Sequence, residues 1–297
     1  MKATILFPGD CFSLNAPNDN FRAELDAVIA TEGLEAALFN FDDYIEGDSL
    51  ALNKPVEHVP KLVIYRGWMM KPEQYQRFHD DLISLGFEPL VPPLRYERMH
   101  CFPNAGEMFD GQTPRFMVFP EEDGRVSIEA DVVNGAFGRF MVKDYVKSVK
   151  NTDFPTFIET PVTQEELDGY IEDFIRRRGS LFTGGIVLKE YVDLKKYEGA
   201  TNEWRQFVFL RGTQLGLCRN SCQPRTTPEP PESYLSTRNI AVVPFYTVDY
   251  AELADGTWTI IEAGDGQVSG LAEADDPIRF YEAMASYLAQ FDEKGFE

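Results

Sequence analysis

The stretch VDYAELADGTWTIIEAGDGQVSG, residues 248–270, has the pattern of a β-hairpin. Two runs rich in apolar and β-branched residues flank Asp255-Gly256, and an Asp-Gly pair between such runs is the strongest short-range signal for a two-residue hairpin turn. A turn of that length places Asp249 and Glu262, each six residues from it, opposite each other. The sequence therefore predicts two neighbouring carboxylates on one face of a sheet.

Directly opposed residues have Cβ atoms about 4.5–5.5 Å apart, so these carboxylates would repel each other. Strand alternation adds Ala251, Leu253, Trp258 and Ile260 to their face. A divalent cation would remove the repulsion, and oxygen ligands without His or Cys favour Mg²⁺ or Mn²⁺. The alternative is a solvated carboxylate at a sheet edge. A three-residue loop would shift the strand parity and abolish the pairing.

The composition excludes several classes of protein. The chain has 297 residues, 28 Lys and Arg against 49 Asp and Glu, and a net charge of −21, which disfavours nonspecific binding to nucleic acid or anionic membranes. No run approaches the roughly 20 apolar residues of a membrane helix, and the start MKATILFPGD is too short for a secretory signal. Four scattered cysteines and three histidines indicate neither a disulfide framework nor a zinc or His-centred site. A cytoplasmic protein is expected.

Strand and helix patterns alternate over the first 95 residues. Strands are predicted at 3–7, 36–40, 61–67 and 87–91, and helices at 20–32 and from Pro72 to Gly86. Alternation of this kind predicts a small parallel α/β domain that ends near Pro92-Pro93.

The remaining two thirds of the chain predict a mostly antiparallel arrangement. Residues 127–146 read as strands meeting a Gly turn, and Thr163 with Glu166 forms a capping box for a helix that Gly179 ends. Strands at 184–194, 203–210 and 213–220 join the hairpin, and a helix covers about 277–290. Residues 221–239, rich in Pro, Ser and Thr, are predicted to form a mobile loop.

Three segments, VKDYVKS, NEWRQFV and DYAELADGTWTIIEAGDGQ, resemble the ATP-grasp superfamily. Within it they are similar to the divergent RimK-like clade that includes the eukaryotic assembly factor for translation initiation factor two. The resemblance covers about residues 130–272, and it implies an α/β and α+β chain. Residues 1–95 would be the small α/β domain that precedes the ATP-grasp domain, whose lobes at about 96–188 and 189–297 would clamp ATP.

The resemblance assigns basic residues to the phosphates of ATP. Lys143 would contact the α- and β-oxygens as a point charge, the alternative being a solvated lysine on a strand. Lys147, Ser148 and Lys150 stand where other members carry a Gly-rich phosphate loop, so basic side chains would replace backbone amides there. The alternative is an exposed amphipathic helix.

A strand end would serve as the hinge that reads the adenine edge. It comprises Lys189, Glu190, Tyr191 and Val192, and Glu190 or Asp193 could accept hydrogen bonds from the adenine amino group or the ribose. From the sequence alone, this segment is no more than the end of a strand.

The remaining site residues lie on the last strands. Glu203 resembles the acid that contacts ribose, and Arg205, on the same side of its strand, suits a γ-phosphate or acyl-phosphate oxygen. The alternative for these two is a surface ion pair. Lys143 and Arg205 are the predicted catalytic residues.

Asp249 and Glu262 match the metal ligands of the superfamily, but its third ligand, an Asn, is replaced by Gly264. Asp265 or water would substitute for it. Arg66, and with it Arg95 and Arg98, would reach the same cleft, because ligands of α/β sheets gather at the carboxyl ends of the strands.

The resemblance implies a Mg-ATP-dependent ligase, in which a carboxylate is activated as an acyl-phosphate and an amine then displaces phosphate. Its substrates are unknown, and a protein or peptide is one candidate. The alternative is an ATP-binding assembly or chaperone-like factor without ligation. A nucleic-acid ligase conflicts with the net charge of −21, and the Lys-x-Asp-Gly nucleophile signature is missing.

Overall fold

The structure of the protein, a computed structural model, describes residues 1–11, 13–55, 58–109, 111–149, 152–220, 222–236, 243–272 and 276–291. The α-helices are α1 (Arg22–Ala30), α2 (Phe41–Glu46), α3 (Pro72–Ser84), α4 (Pro93–His100), α5 (Phe102–Gly106), α6 (Ala130–Ala136), α7 (Gln164–Arg178), α8 (Glu232–Ser236) and α9 (Pro277–Leu288). The strands are β1 (Ala3–Asp10), β2 (Ser13–Pro17), β3 (Leu34–Phe39), β4 (Leu62–Tyr65), β5 (Glu88–Pro89), β6 (Phe116–Pro120), β7 (Arg139–Asp144), β8 (Ile158–Glu159), β9 (Gly185–Glu190), β10 (Lys196–Tyr197), β11 (Ala200–Thr201), β12 (Glu203–Phe209), β13 (Thr213–Arg219), β14 (Phe245–Glu252) and β15 (Trp258–Asp265). No helix in these ranges is long and apolar enough to cross a membrane.

The first sheet is the predicted parallel one. Strands β3, β4 and β5 run parallel around β1, and β2 adds a short antiparallel contact at its end. Every residue of β4 and most of β1 is buried, as expected for strands covered on both faces. The strand predicted at 87–91 is shorter, since only Glu88–Pro89 pair with β4.

The second sheet has the order β6-β9-β7-β8 and packs against α6 and α7. The predicted capping box of Thr163 and Glu166 begins α7, and Gly179 follows its last residue. The prediction of strands over 127–136 was wrong, because Ala130–Ala136 form α6. Its buried residues, Ala130 and Val133, have helical spacing, and Gly135 lies within this helix and not at a turn between strands.

The third sheet has the order β13-β12-β14-β15, and its two faces differ. On one face Phe207, Phe209 and Phe245 join the core of the first sheet together with α9, so the first and third sheets share one hydrophobic core. On the other face a separate cluster contains Val248 and Tyr250 together with Met99 of α4. The first sheet and α9 thus support the third sheet from one side, and α4 supports it from the other.

The hairpin of β14 and β15 differs from the predicted one near its turn. Leu253 closes against Thr257 around three loop residues rather than two, and Tyr250 pairs with Ile260. Trp258 and Ile260 therefore lie on the face opposite to the predicted one. This parity shift would also have separated the two carboxylates. A bulge inserts Ile261 as an extra residue, however, and beyond it Asp249 and Glu262 pair directly.

Part of the segment predicted to be mobile is held in place. Gln223 and Thr227 are buried, and the Gln223 amide donates to Asn202 Oδ1 (2.7 Å) and to Thr227 Oγ1 (2.8 Å). A polar core can anchor a loop that has no apolar periodicity. Residues 221 and 237–239 of that segment lie outside the described residues, as does Lys150.

Candidate functional site

A cleft of about 500 Å³ lies between the second and third sheets. Ten of the twelve predicted site residues line it: Lys143, Lys147, Lys189, Glu190, Tyr191, Val192, Glu203, Arg205, Asp249 and Glu262. Asp193 and Asp265 do not line this cleft. The cleft also includes Met141, Ser148, Cys218, Ile261 and the segment Gly270, Leu271 and Ala272.

Four cleft residues form one row across the third sheet. Arg205 pairs with Cys218 on β13 and with Asp249 on β14, and Asp249 pairs with Glu262 on β15. The Nε and Nη2 atoms of Arg205 each donate to one Asp249 oxygen at 2.7 Å, which is the two-pronged geometry that arginine forms with carboxylates. The charge of Asp249 raises the pKa of Arg205. The row thus places one cation beside two adjacent carboxylates.

Arg205 does not form the alternative ion pair with Glu203. The Glu203 carboxylate instead accepts a hydrogen bond from the Thr201 hydroxyl. Asp249 competes better for the guanidinium because it stands directly opposite on the neighbouring strand.

Lys143 crosses the cleft from β7 and neutralises the second carboxylate. Its Nζ donates to Glu262 Oε1 at 3.1 Å, and its side chain is 5% exposed against 29% for Glu262. Burial alone would raise the pKa of Glu262, but the charges of Lys143 and Lys147 outweigh it and lower that pKa to about 2. Lys143 is therefore not a solvated strand lysine. The repulsion between the carboxylates is offset by two side-chain cations from different strands.

Lys189 is a second buried lysine beside Lys143. Its Nζ donates to the carbonyl of Ile261, the extra residue of the bulge, at 2.5 Å. The Phe102 ring lies beneath both ammonium groups, with its centroid 4.8 Å from Lys143 Nζ and 4.4 Å from Lys189 Nζ. Burial and the nearby charge of Lys143 lower the pKa of Lys189 to about 7. Phe102 was not predicted, since an aromatic residue in a loop-rich stretch carries no local signal.

The segment after β7 is a tight turn and not an amphipathic helix. Asp144 Oδ1 accepts hydrogen bonds from the backbone N–H groups of Val146 (2.8 Å) and Lys147 (2.6 Å), and Lys143 forms a bridge with Ser148. Arg178 of α7 holds the other oxygen of Asp144 at 2.7 Å. The buried Asp144 therefore shapes the turn that exposes Lys147 to the cleft, a role that sequence reasoning missed.

At the hinge, two backbone donors and two acidic side chains are already engaged. The N–H groups of Glu190 and Tyr191 donate to the carbonyls of Arg115 (2.8 Å) and Arg139 (3.0 Å). The carboxylate of Glu190 pairs with Arg115 (2.8 Å), and that of Asp193 pairs with Arg139 (2.6 Å). Within the described part of the chain, Val192 is thus the next hinge N–H available to a ligand.

Asp265 points away from the carboxylate pair. It lies three residues after Glu262 and pairs with Tyr246, so its side chain enters the opposite face of the sheet. It is fully buried, and its Oδ1 accepts from the Gln267 backbone N–H (2.9 Å) and side-chain amide (3.0 Å). Burial raises its pKa to about 7. The strand alternation therefore rules against Asp265 as the substitute for the third metal ligand.

Arg66 does not reach the cleft either. It is 1% exposed and forms two 2.9 Å hydrogen bonds with the Glu24 carboxylate. Its Nη1 donates to the carbonyls of Gly266 and, at 2.8 Å, Ser269. Arg66 thereby fixes the loop that follows β15 and leads to the cleft residue Gly270. Arg95 and Arg98 do not line the cleft.

The donor set suits a hard divalent cation. Asp249 and Glu262 are adjacent and face the cleft. Arg205 and Lys143 form ion pairs with them, so these positive side chains occupy the place where a metal ion would supply charge. Oxygen-only ligands of this kind fit Mg²⁺ or Mn²⁺. Among the described residues, no cluster of three or more His, Cys, Asp or Glu residues forms a separate metal site.

Solved structures share this architecture at low sequence identity. D-alanyl-alanine synthetase A from Vibrio cholerae O1 biovar eltor has a TM-score of 0.62 and 11% identity, with 97% of each chain covered. A RimK domain protein ATP-grasp from Sphaerobacter thermophilus has a TM-score of 0.58 and 16% identity, covering 97% of this chain and 99% of its own. The macrocyclase MdnC bound with precursor peptide MdnA, from Microcystis aeruginosa, has a TM-score of 0.55 and 14% identity, covering 98% and 100%. These likenesses establish the fold.

The sequence itself is the basis for the family. No curated protein matches the chain at a significant level. Residues 133–284, which contain Lys143, the hinge and the carboxylate hairpin, match the family described as ATP-grasp domain, R2K clade family 3. Since this match spans half of the chain and agrees with the fold, the chain belongs to the R2K clade of the ATP-grasp family.

Proposed function

We propose that the protein is a Mg-ATP-dependent ligase that joins a carboxylate to an amine through an acyl-phosphate. The observation that carries this proposal is the row of Arg205, Asp249 and Glu262, which faces Lys143 across the cleft. Such a row combines oxygen ligands for a cation with fixed positive groups for phosphoryl oxygens. Preorganised charges at the place where charge develops are usually the largest single contribution to catalysis.

Nucleotide would lie along the cleft from the hinge to this row. The backbone of Val192 would meet the adenine edge, and Glu203 would accept from the ribose. Lys143, Lys147 and Lys189 would hold the phosphates. With its pKa lowered to about 7 by burial, Lys189 gains its full charge when a phosphate arrives, because an opposite charge favours the protonated form.

Asp249 and Glu262 would hold Mg²⁺, which when bound neutralises charge on the phosphoryl oxygens. Arg205 would then turn from Asp249 to the acyl-phosphate oxygens, since its fork fits either oxyanion. Lys143 would likewise exchange Glu262 for a phosphate oxygen. Both residues thus act by moving from a carboxylate to the substrate.

A peptide or protein is one candidate substrate. The structural likeness to a macrocyclase that binds a precursor peptide supports this choice. The acidic chain, at −21, favours substrates that are not strongly anionic.

The test of ligation follows ADP production with panels of carboxylates, amines and peptides. A ligase should release ADP and phosphate in step with consumption of both substrates. Replacing Arg205 by Ala should depress turnover about 10-fold or more beyond its effect on ATP affinity, because its partner oxygens belong to the acyl-phosphate stage. Equal losses of turnover and ATP affinity would remove Arg205 from that role.

The second candidate is an ATP-dependent assembly factor, and Gly264 in place of a side-chain metal ligand favours it. Such a factor would hold Mg-ATP without releasing ADP in proportion to any substrate. A partner protein would bind more tightly in the presence of Mg-ATP, and ATP would bind more tightly in the presence of the partner. Measurement of both affinities separates the two functions.

A further inference from the structure

Two hydroxyl groups fill the space that a side chain at position 264 would occupy. Gly264 pairs with Thr247, and both lie one alternation beyond the carboxylate pair, on the same face of the sheet. A Cβ atom at Gly264 would meet Ser269 Oγ at 3.1 Å and Thr247 Oγ1 at 3.2 Å. Two oxygen atoms therefore lie where a side chain at position 264 would project, two residues beyond Glu262 on the same face and next to the cleft residue Gly270.

These hydroxyls are held in fixed positions. Ser269 Oγ donates to the Asp265 carbonyl at 2.8 Å and lies 3.0 Å from Thr247 Oγ1. Because the single hydroxyl hydrogen of Ser269 goes to that carbonyl, Ser269 Oγ can only accept from Thr247, whose hydroxyl also lies 3.4 Å from the Gly264 carbonyl. Ser269 Oγ therefore keeps at least one lone pair unused by these bonds. The buried Arg66 fixes the backbone of Ser269 through its carbonyl.

Arg205 connects this niche to the carboxylate row. The same guanidinium that grips Asp249 also lies 3.4 Å from the carbonyl of Gly270, the residue after Ser269. When Arg205 turns to a phosphoryl group, as the proposed function requires, it uncovers Asp249 on the side of the Ser269 loop.

We infer that the Ser269 hydroxyl, supported by Thr247, is the third protein oxygen for the divalent cation held by Asp249 and Glu262. It takes the part that a side chain at position 264 would otherwise play. Serine and threonine hydroxyls serve Mg²⁺ in this way in P-loop nucleotide sites. This inference rests on the proposed function, since it concerns the cation that accompanies the nucleotide.

The experiment measures Mn²⁺ binding directly. Free Mn²⁺ is followed by electron paramagnetic resonance while it is titrated into the full chain with saturating AMP-PNP, an ATP analogue that is not hydrolysed. Ser269→Ala should weaken Mn²⁺ binding about 10-fold to 100-fold, the range found even when an outer partner of a metal ligand is lost. Ser269→Thr, which keeps the hydroxyl, should stay close to the unmodified chain, and Thr247→Val should have a smaller effect than Ser269→Ala.

The matched control is Ser84→Ala. The Ser84 hydroxyl also donates to a backbone carbonyl, that of Asp80 at 2.9 Å, but it lies on the exposed part of α3. Its removal should leave Mn²⁺ binding unchanged. Thermal unfolding of each variant identifies any loss that comes from misfolding, and in that case the Ser269→Thr and Thr247→Val results decide.

A double variant tests the niche itself. Gly264→Asn should weaken Mn²⁺ binding in the unmodified chain, because its Cβ would lie only 3.1 and 3.2 Å from the two hydroxyls and would displace them. In the Ser269→Ala background the same change should strengthen binding, since space is freed and a carboxamide oxygen is supplied. The inference would be overturned if Gly264→Asn strengthened Mn²⁺ binding in the unmodified chain and weakened it in the Ser269→Ala background.

The outcomes separate the inference from the proposed function. If the unmodified chain binds AMP-PNP with Mn²⁺ and Ser269→Ala binds Mn²⁺ as Ser84→Ala does, the third-oxygen role is wrong and the proposed function stands. If calorimetry detects no binding of AMP-PNP with Mg²⁺ to the unmodified chain, both are overturned.

Discussion

Glu262 and Asp265 lie three residues apart on β15 and point to opposite faces of the sheet. Burial disfavours the charged form of both. At Glu262 the ammonium groups of Lys143 and Lys147 outweigh burial and lower the pKa to about 2. At Asp265 only hydrogen bonds from Gln267 and the more remote charge of Arg66 oppose burial, and the pKa rises to about 7. The comparison teaches that a close cationic partner, more than burial, decides which carboxylates of this sheet stay charged.

The buried pair of Arg66 and Glu24 should show the largest consequence of removing a partner. Arg66→Ala leaves the Glu24 carboxylate buried without its cation, which should lower the free energy of unfolding by about 3–5 kcal/mol. Urea denaturation measures this. Arg22→Ala is the control, because Arg22 and Asp19 form an exposed pair whose loss should cost about 0–1 kcal/mol. Similar stabilities of the two variants would contradict the rule drawn from β15.

On the cleft face, removal of one charged partner should be measurable as weaker ligand binding. Lys143→Ala removes the proposed charged donor to phosphate, and Asp249→Asn removes a proposed metal ligand. Each should weaken Mg-ATP binding by about 1.5–3 kcal/mol, which is roughly 10-fold to 100-fold. Calorimetric titration measures the affinities, with the exposed Lys2→Ala as control. Unchanged affinity in both variants, with folding intact by circular dichroism, would refute the site.

On the opposite face, pH should reveal Asp265. Its pKa is about 7 in the folded chain and about 3.9 when unfolded. The stability from its protonated form is therefore complete below about pH 3.9 and is lost as the pH rises through about 7. Asp265→Asn does not titrate, so its stability relative to the unmodified chain should rise by on the order of 1–2 kcal/mol between about pH 5.5 and 7. Urea midpoints across this range test it, and a pH-independent difference would mean that Asp265 is ionised throughout.

The smallest effect is expected at Glu252, a third buried carboxylate of the sheet. It accepts hydrogen bonds from Lys195 (2.7 Å), Tyr197 (2.9 Å) and Asn202 (2.8 Å). Glu252→Gln can keep its oxygen toward Tyr197 and Asn202, but its NH2 group then faces the part-exposed Lys195 and that ion pair is lost. It should destabilise by less than about 1 kcal/mol. A loss as large as that of Arg66→Ala would show that hydrogen-bond partners cannot replace a charge here.

Local patterns predicted much of the fold correctly. The alternation of strand and helix up to residue 90, the capping box at Thr163 and the hairpin around Asp255-Gly256 all depend on neighbours within one or two turns of chain. Such signals are present in the sequence because the contacts that produce them are close in it. The same locality explains the error at 127–136, where strands meeting a glycine turn were predicted although Ala130 and Val133 have helical spacing.

The candidate site was predicted residue by residue only as far as the family resemblance extends. Asp249 and Glu262 were predicted to pair on the basis of a two-residue turn. The loop is one residue longer, and the pairing is restored by the bulge at Ile261. The extra loop residue and the extra bulge residue each reverse the face on which the following side chains of β15 lie, so together they leave Glu262 on the predicted face. A bulge depends on the partner strand and on Lys189, which binds the Ile261 carbonyl from another sheet, so the turn sequence did not contain it.

What the sequence by itself determined is most of the helices and strands, because side-chain alternation and helical periodicity are properties of a short segment. The faces of Trp258 and Ile260 depended on the length of the hairpin loop and were not determined in this way. The tertiary structure decided the charge partners. Lys143 meets Glu262 across 119 positions of sequence, and Arg66 meets Ser269 across 203. Coulomb interactions depend on distance and burial, neither of which exists until the lobes have packed. The burial of Asp265 was decided in the same way, since only the packed structure covers the far face of β15 on which it lies.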